Sequence, residues 1–139
     1  TSEDYIKTEW AGITGSSNRT IEAWINTTAN NRIITSWGKN STGNRIDLII
    51  INTGLRVEIK DGHKIGGTKI NDGKWHHVAV VFEDDGSPNV EDVRIYIDGV
   101  ETNYISTKSA ELNTMAGAKV TVGSYPNGNV PNIFHTSNE

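Results

Sequence analysis

Carboxylate side chains are the residues of this sequence most suited to hydrolytic chemistry, since glycoside hydrolysis needs two of them at one bond. Asp47 stands alone in its predicted strand, Glu58 lies where a strand runs into a turn, and Glu22 has no second carboxylate near it. His76 and His77 are adjacent on a predicted strand and therefore point to opposite faces. This disfavours a shared metal ion, and packing within the strand explains both histidines better than a Ser-His-Asp arrangement does. We predict that the chain is not an enzyme.

A second group of residues has the chemistry of a sugar-binding site, which uses aromatic faces for stacking and polar groups for hydroxyls. Trp37 ends a predicted strand beside a loop rich in Gly and Asn, His63 follows a turn, and Tyr125 and Asn127 lie in a late loop. We predict that these four residues meet at one end of the fold and bind a ligand. In the alternative interpretation, Trp37 packs in the core and the others are ordinary loop residues.

The segments that must position these residues are short and alternate between apolar and polar side chains, which is typical of β-strands. In residues 19–26 (RTIEAWIN), Trp24 lies on the polar face. The opposite face is apolar: Ile21, Ala23 and Ile25. Residues 75–82 (WHHVAVVF) form the strongest predicted strand, which we expect to be central in its sheet. Trp24 and Trp75 each combine a large apolar body with one N–H donor, so we expect them at an edge of the fold or in its core.

Residues 55–60 (LRVEIK) alternate in the same way, and we expect Arg56 and Glu58 to face water. Two Asp-Gly pairs, at 61–62 and 98–99, are strong signals for two-residue hairpin turns.

Composition favours an all-β protein. Ile (17) and Val (10) far outnumber Leu (3), and β-branched side chains fit a pleated sheet better than a helix. Roughly ten short predicted strands, with no helix of normal length, indicate an antiparallel sandwich or barrel. The length of 139 residues indicates one domain, residues 1–139.

Charge and hydropathy disfavour two classes of partner. The net charge of −4 argues against nucleic acid, which is bound by a basic face. Apolar runs such as residues 48–51 are far shorter than the roughly 18 residues of a membrane span, so we predict no membrane insertion. The chain has no cysteine, which excludes disulfides and thiolate chemistry.

Three ordered segments point to a known family. Residues 19–25 (RTIEAWI) match an R-T-x-E-x-W-[IV] string, and residues 71–82 (NDGKWHHVAVVF) match a D-G-x-W-H-H-V-A-V string. Residues 93–100 (VRIYIDGV) match the Y-[VI]-D-G hairpin that follows them. In this order the segments resemble the laminin-G-like modules of the concanavalin A-like lectin/glucanase superfamily. The resemblance is clearest over residues 4–124.

The resemblance implies an antiparallel two-sheet jelly-roll sandwich. It also implies that calcium can bind at a loop rim, although no cofactor is required, because laminin-G-like modules often hold this hard cation with carboxylates and carbonyls. Asp84, Asp85 and Asp92 flank one loop and are the residues we expect there. The alternative is a solvated hairpin loop whose charges repel one another. The E-x-D-x-x-E string of the superfamily's glucanases does not occur in this sequence.

One departure from the family concerns its closing strand. Members usually end with a strand resembling F-x-G-x-I-D-x-[VL]-R-[IVL]-Y, and here only Phe134 fits its start. A missing strand leaves an edge of unpaired N–H and C=O groups. We expect another copy of the chain, or the N-terminal strand near residues 5–8, to cover that edge.

The family likeness implies a non-catalytic recognition module for glycan or protein ligands, in an extracellular or cell-surface protein. Fold alone does not fix function, so two alternatives stay open. One is a self-associating structural module that binds no small ligand. The other is a degenerate relative of the glycoside hydrolases.

Overall fold

The computed structural model describes residues 5–125, which form short strands and one 3-10 helix, Val90–Asp92. The strands in chain order are β1 (Ile6–Lys7), β2 (Arg19–Asn26), β3 (Arg32–Gly38), β4 (Arg45–Ile51), β5 (Gly54–Glu58), β6 (His63–Gly66), β7 (Trp75–Phe82), β8 (Arg94–Ile97), β9 (Val100–Glu101), β10 (Tyr104–Lys108) and β11 (Ala118–Val122). Within these residues, no helix has the length and apolar character needed to cross a membrane.

The strands form two antiparallel sheets. One has seven strands in the order β1-β11-β3-β4-β5-β6-β10, and the other has four in the order β2-β7-β8-β9. The predicted two-sheet jelly-roll sandwich is therefore confirmed. The strand β7 is central in its sheet, as predicted, because it pairs with β2 on one side and β8 on the other.

The hydrophobic core lies between the sheets. Alternate residues of β4 and β5, such as Leu48 and Val57, face Val80 of β7 and Ile95 of β8. These four side chains are almost fully buried. The period of two along each strand accounts for this arrangement, since it sends every second side chain to the same face.

The two Asp-Gly signals have different outcomes. Asp98 (φ 52°) and Gly99 (φ 82°) are both left-handed and join β8 to β9, which is the geometry of a two-residue hairpin turn. At the earlier signal the left-handed residues are Lys60 (φ 62°) and Asp61 (φ 64°), so this turn lies one residue before its predicted place. Gly62 is needed for close packing instead, because a Cβ there would lie 2.5 Å from the Cβ of Ala110.

The sheet edges bear on the expected missing strand. Ile6 pairs with Val122 and Lys7 with Thr121, so the N-terminal strand covers the side of β11 that faces away from β3. In the other sheet, β2 has β7 as its single neighbour among residues 5–125. Phe134 lies outside the described residues.

Candidate functional site

The outer face of the four-stranded sheet carries two exposed tryptophans. Trp24 on β2 is 67% exposed and Trp75 on β7 is 65% exposed. The register pairs Trp24 with His77 and Asn26 with Trp75. The two indoles are therefore diagonal cross-strand neighbours, which lie roughly 7–8 Å apart in antiparallel sheets. We call this surface the tryptophan platform and define it by Glu22, Trp24, Asn26, Trp75 and His77.

Polar side chains lie among the indoles of the tryptophan platform. Nε2 of His77 is 3.3 Å from Oε2 of Glu22. The imidazole of His77 lies 5.3 Å from the ring of Trp24, with 58° between the ring planes. Tilted contacts of this kind are favourable between aromatic rings. The platform thus combines flat apolar surface with groups that donate and accept hydrogen bonds.

His76 anchors the start of the strand that carries Trp75. Its Nδ1 is 2.7 Å from Oδ2 of Asp98, and its Nε2 is 2.9 Å from Oδ1 of Asp72. The hydrogen bonds to Asp98 and Asp72 raise the pKa of His76, and the same bonds lower the pKa of each aspartate. Asp98 also accepts a hydrogen bond from the backbone N–H of His77 at 2.8 Å. Asp98 is therefore bonded both to the side chain of His76 and to the backbone of β7.

The outer face of the seven-stranded sheet has a different character. The strand register places Ser36, Asp47, Glu58 and His63 in one line across β3, β4, β5 and β6. We call this line the ionic row. All four residues are buried, although they lie on the side of the sheet away from the core.

Asp47 is the most deeply buried charge of the ionic row. Its Oδ2 accepts a hydrogen bond from Nε of Arg45 at 2.7 Å, and its Oδ1 accepts one from the hydroxyl of Ser36. Burial raises the pKa of Asp47 to about 6, while Arg45 and Ser36 act in the opposite direction. The guanidinium of Arg45 also lies over the ring of Tyr125, 5.3 Å from its centroid. The carboxylate is therefore enclosed by its own partners.

The prediction that Arg56 and Glu58 face water is wrong, because each of these residues is only 8% exposed. Nη2 of Arg56 is 2.6 Å from Oε2 of Glu58 and 3.3 Å from Nδ1 of His63. Nε2 of His63 is in turn 3.0 Å from the hydroxyl of Ser106. The alternation of residues 55–60 gives the correct face for these side chains, but it does not distinguish water from a buried polar layer.

Three of the four residues predicted to bind a ligand lie within the described part of the chain, and the structure places Trp37 apart from the other two. Trp37 lies in the core, 3% exposed, and its indole N–H donates to the carbonyl of Ile13 at 3.0 Å, which agrees with the alternative interpretation. His63 belongs to the ionic row, and Tyr125 is buried beside that row on the outer side of the seven-stranded sheet. Asn127 lies outside the described residues.

The three acids predicted to bind calcium serve separate turns. Asp84 accepts a hydrogen bond from the hydroxyl of Ser16 at 2.6 Å, and Asp85 accepts one from a backbone N–H two residues later. Asp92 accepts from the N–H of Asn89 at 2.9 Å and so caps the 3-10 helix. The part of the chain that the structure describes contains no group of three or more His, Cys, Asp or Glu arranged to hold a metal ion. The described geometry therefore offers no support for the predicted calcium site.

Two carboxylates that are isolated in the sequence become neighbours in the fold. Asp47 and Glu58 are direct cross-strand partners, and the Cβ atoms of such partners lie about 4.5–5.5 Å apart. Glycoside hydrolysis needs a protonated acid and a second carboxylate, both facing a substrate. Here Asp47 is paired with Arg45 and Glu58 with Arg56, and all four side chains are largely buried. The two carboxylates are therefore neutralised by arginines within a buried ionic layer.

The tryptophan platform is the feature that the sequence does not reveal. The expectation was an edge of the fold or its core, and the exposure of Trp24 and Trp75 on an outer face corrects the core alternative. One signal was present, because alternation puts Trp24 on the same face as Glu22 and Asn26. The missing information was the pairing of β2 with β7, which sets the two indoles side by side.

Comparisons with known proteins agree with this fold. A laminin G family model, described as concanavalin A-like lectin/glucanases superfamily, matches residues 1–132. A solved structure of the mouse laminin alpha1 chain, domains LG4-5, matches 95% of this chain and 34% of its own length, with a TM-score of 0.63 and 15% identity. At this identity the likeness concerns the fold alone. By sequence, no curated protein matches the chain.

Laminin G-like domains act in general as lectin-like or other ligand-binding modules. They are typically non-catalytic and typically extracellular. A ligand-binding role in this general sense follows for the present chain, since the family model covers almost all of its sequence. The chain belongs to the laminin G group of the concanavalin A-like lectin/glucanases superfamily.

Proposed function

We propose that this chain is a non-catalytic, lectin-like recognition module that binds glycans through the tryptophan platform. The exposure of Trp24 and Trp75 on adjacent strands of one face supports this proposal. Large apolar side chains grouped on a protein surface commonly mark a binding site. Tryptophan is well suited to such a site because it offers a wide flat face.

The chemistry of the platform suits a sugar ring. A pyranose presents C–H groups on its faces and hydroxyls around its rim, so it stacks on an indole while polar neighbours bind the hydroxyls. Glu22 accepts hydrogen bonds, and Asn26 both donates and accepts them. The two indoles lie next to each other, so we expect an oligosaccharide to bind more tightly than a single sugar.

An extracellular or cell-surface location is part of the proposal, since laminin G-like homologues are typically extracellular. The proposal also holds that the chain does not cleave what it binds. The cross-strand carboxylates Asp47 and Glu58 lie on the other sheet and are bonded to arginines. These groups are remote from the platform and are not presented to a ligand there.

A glycan array with the purified chain, in calcium and in chelator, tests the proposal. The best glycan then enters a fluorescence titration with Trp24→Ala and Trp75→Ala. We expect each substitution to weaken binding about tenfold, or ~1.4 kcal/mol, since one stacking face is lost. Trp10→Ala is the matched control, because Trp10 is 59% exposed but lies beside β11 of the other sheet.

Each outcome bears on one part of the proposal. Binding to no glycan, or an equal loss in Trp10→Ala, contradicts the platform as a sugar site. Binding that persists in chelator shows that recognition needs no calcium. Release of sugar fragments on incubation with the pure protein contradicts the non-catalytic part.

A further inference from the structure

The outer face of the four-stranded sheet continues beyond the tryptophan platform. The outward positions of β2 before Trp24 are Thr20 and Glu22, and the register places Val81 and Ala79 of β7 opposite them. Alternation sends all of these side chains to the face that carries the indoles. Together they form a band two strands wide that leads from the indoles toward the start of β2. We call this band the outer strip.

A hollow of about 250 Å³ lies at the far end of the outer strip. Six residues line it: Asn18, Arg19, Thr20, Val81, Phe82 and Glu83. Arg19 and Phe82 are almost fully buried, so their side chains point away from the opening. The hollow therefore opens on the outer side of the sheet, where Thr20 and Val81 point.

Little side-chain bulk separates the hollow from the indoles. The pair between them is Glu22 and Ala79, and the next residue across the sheet is Tyr96 of β8. Alanine has the smallest side chain of the three, so the surface is lowest at Ala79. Asn26 at the platform and Thr20 at the hollow are six residues apart on β2, which corresponds to roughly 20 Å along a strand.

The charges of the outer strip favour a neutral ligand. The four strands of this sheet contain no lysine. Their two arginines are Arg19, which is buried, and Arg94, whose Nη2 is 2.6 Å from Oε2 of Glu83. The side chain of Glu22 is 67% exposed. A polyanionic glycan would meet negative charge here, whereas the hydroxyls of a neutral glycan donate hydrogen bonds to this carboxylate.

We propose that the outer strip binds an extended, neutral, β-1,4-linked polysaccharide, whose chain runs from the indoles to the hollow. This role deepens the glycan binding proposed for the tryptophan platform and depends on it. A β-1,4-linked chain is nearly straight and follows the strands, whereas an α-1,4-linked chain curves and would leave the sheet before the hollow. A ligand that already has the shape of its site loses less conformational freedom on binding.

Two length series of glucose oligomers test this role. Isothermal titration calorimetry compares cellotriose with cellohexaose, which are β-1,4-linked, and maltotriose with maltohexaose, which are α-1,4-linked. A trisaccharide bound at the indoles does not reach the hollow, but a straight hexasaccharide does. We therefore expect cellohexaose to bind about tenfold more tightly than cellotriose. Maltohexaose should gain no comparable advantage over maltotriose.

A substitution in the hollow separates its contribution from that of the indoles. Thr20→Arg fills the hollow with a longer side chain without disturbing the core, because Thr20 is exposed. It should weaken the binding of cellohexaose about tenfold and change that of cellotriose by less than about twofold. Val100→Arg is the matched control, because Val100 is 70% exposed on β9 of the same sheet but outside the outer strip. It should change neither affinity.

Equal affinities for cellotriose and cellohexaose overturn the proposal, as does an equal gain with length in the α-1,4-linked series. A Thr20→Arg variant with an unchanged circular dichroism spectrum overturns it if both ligands bind as in wild type, or if both are lost alike. Absence of binding to every cello-oligosaccharide also overturns it, while binding of other glycans on the array would leave the platform as a sugar site. Trp24→Ala with cellotriose tests the platform alone, so the two failures are distinguishable.

Discussion

The two outer faces of the sandwich reverse the ordinary preferences of side chains in opposite ways. The four-stranded sheet exposes the indoles of Trp24 and Trp75, whereas the seven-stranded sheet buries the charges of Asp47 and Glu58. Tryptophans are usually well buried, and Asp and Glu are almost never fully buried unless they are paired. On both sheets these side chains lie at the outward-facing positions of alternating strands. Alternation alone therefore does not predict which outer face is exposed and which is buried.

The two faces differ in whether their outward-pointing side chains are bonded to other side chains of the described chain. Asp47 is bonded to Arg45 and Glu58 to Arg56, which is the condition under which buried charges are tolerated. Most of the surface of the two indoles touches no other part of the described chain. We therefore interpret the ionic row as a structural layer and the tryptophan platform as an interaction surface.

The largest expected effect separates a tryptophan in the core from one on the platform. Trp37→Ala should lower the free energy of unfolding by about 3–5 kcal/mol, because a buried aromatic ring leaves a cavity. Trp24→Ala should change it by less than about 0.5 kcal/mol, as is usual for exposed side chains. Urea denaturation of the two variants measures both values. A similar loss in both would mean that Trp24 is structural and would contradict the proposed difference between the two faces.

A second prediction compares an arginine–carboxylate pair on each face. Arg45→Met should cost about 3 kcal/mol at neutral pH, because it leaves the buried carboxylate of Asp47 without its cation. Arg94→Met is the matched control. Its partner Glu83 is at 2.6 Å, but the two side chains are 44% and 64% exposed, so the expected cost is about 0.5 kcal/mol or less. Chemical denaturation at one pH compares the two.

The pH dependence sharpens this second prediction. Burial raises the pKa of Asp47 to about 6, and removal of Arg45 should raise that pKa further. The cost of Arg45→Met should therefore shrink as the pH falls through the raised pKa of the variant. It should be largely gone below about pH 6, where Asp47 carries a proton in both proteins and no longer needs a cation. A cost that is independent of pH would indicate that the lost packing of Arg45, rather than its charge, is responsible.

The smallest expected effect concerns the anchor at His76. Two aspartates raise the pKa of His76, so its stabilising contribution is complete below its ordinary pKa of 6.5 and is lost as the pH rises through the raised value. The pKa values of Asp72 and Asp98 are lowered from 3.8, so their contribution is lost only as the pH falls below that value. We expect wild type to exceed His76→Gln in stability most between pH 4 and 6.5. Thermal unfolding across this range measures the difference, and a constant difference at every pH would contradict the anchor.

The sequence supports the fold better than it supports the site. Alternation in residues 19–26 and 55–60 predicts the correct face for each side chain, and the ordered family strings predict two antiparallel sheets. The contact of Asp47 with Glu58 depends on the register of one hairpin, and the closeness of Trp24 and Trp75 depends on strands that lie far apart in the chain. The burial of Trp37 depends on the loop near Ile13. Pairings between distant segments leave no local pattern, so the platform becomes visible only in three dimensions.

The position of β11 between β1 and β3 has a consequence for the order in which the protein forms. The strands β3 to β6 follow one another as hairpins, so they can pair while the rest of the chain is still being synthesised. The partner of β1, however, is at residues 118–122, and long loops close at a greater entropic cost than short ones. The ribosome must therefore release almost all of the described chain before this side of the sheet can close. Until that moment β3 has no partner on its β11 side, and the N–H and C=O groups along that side are open to pairing with other strands.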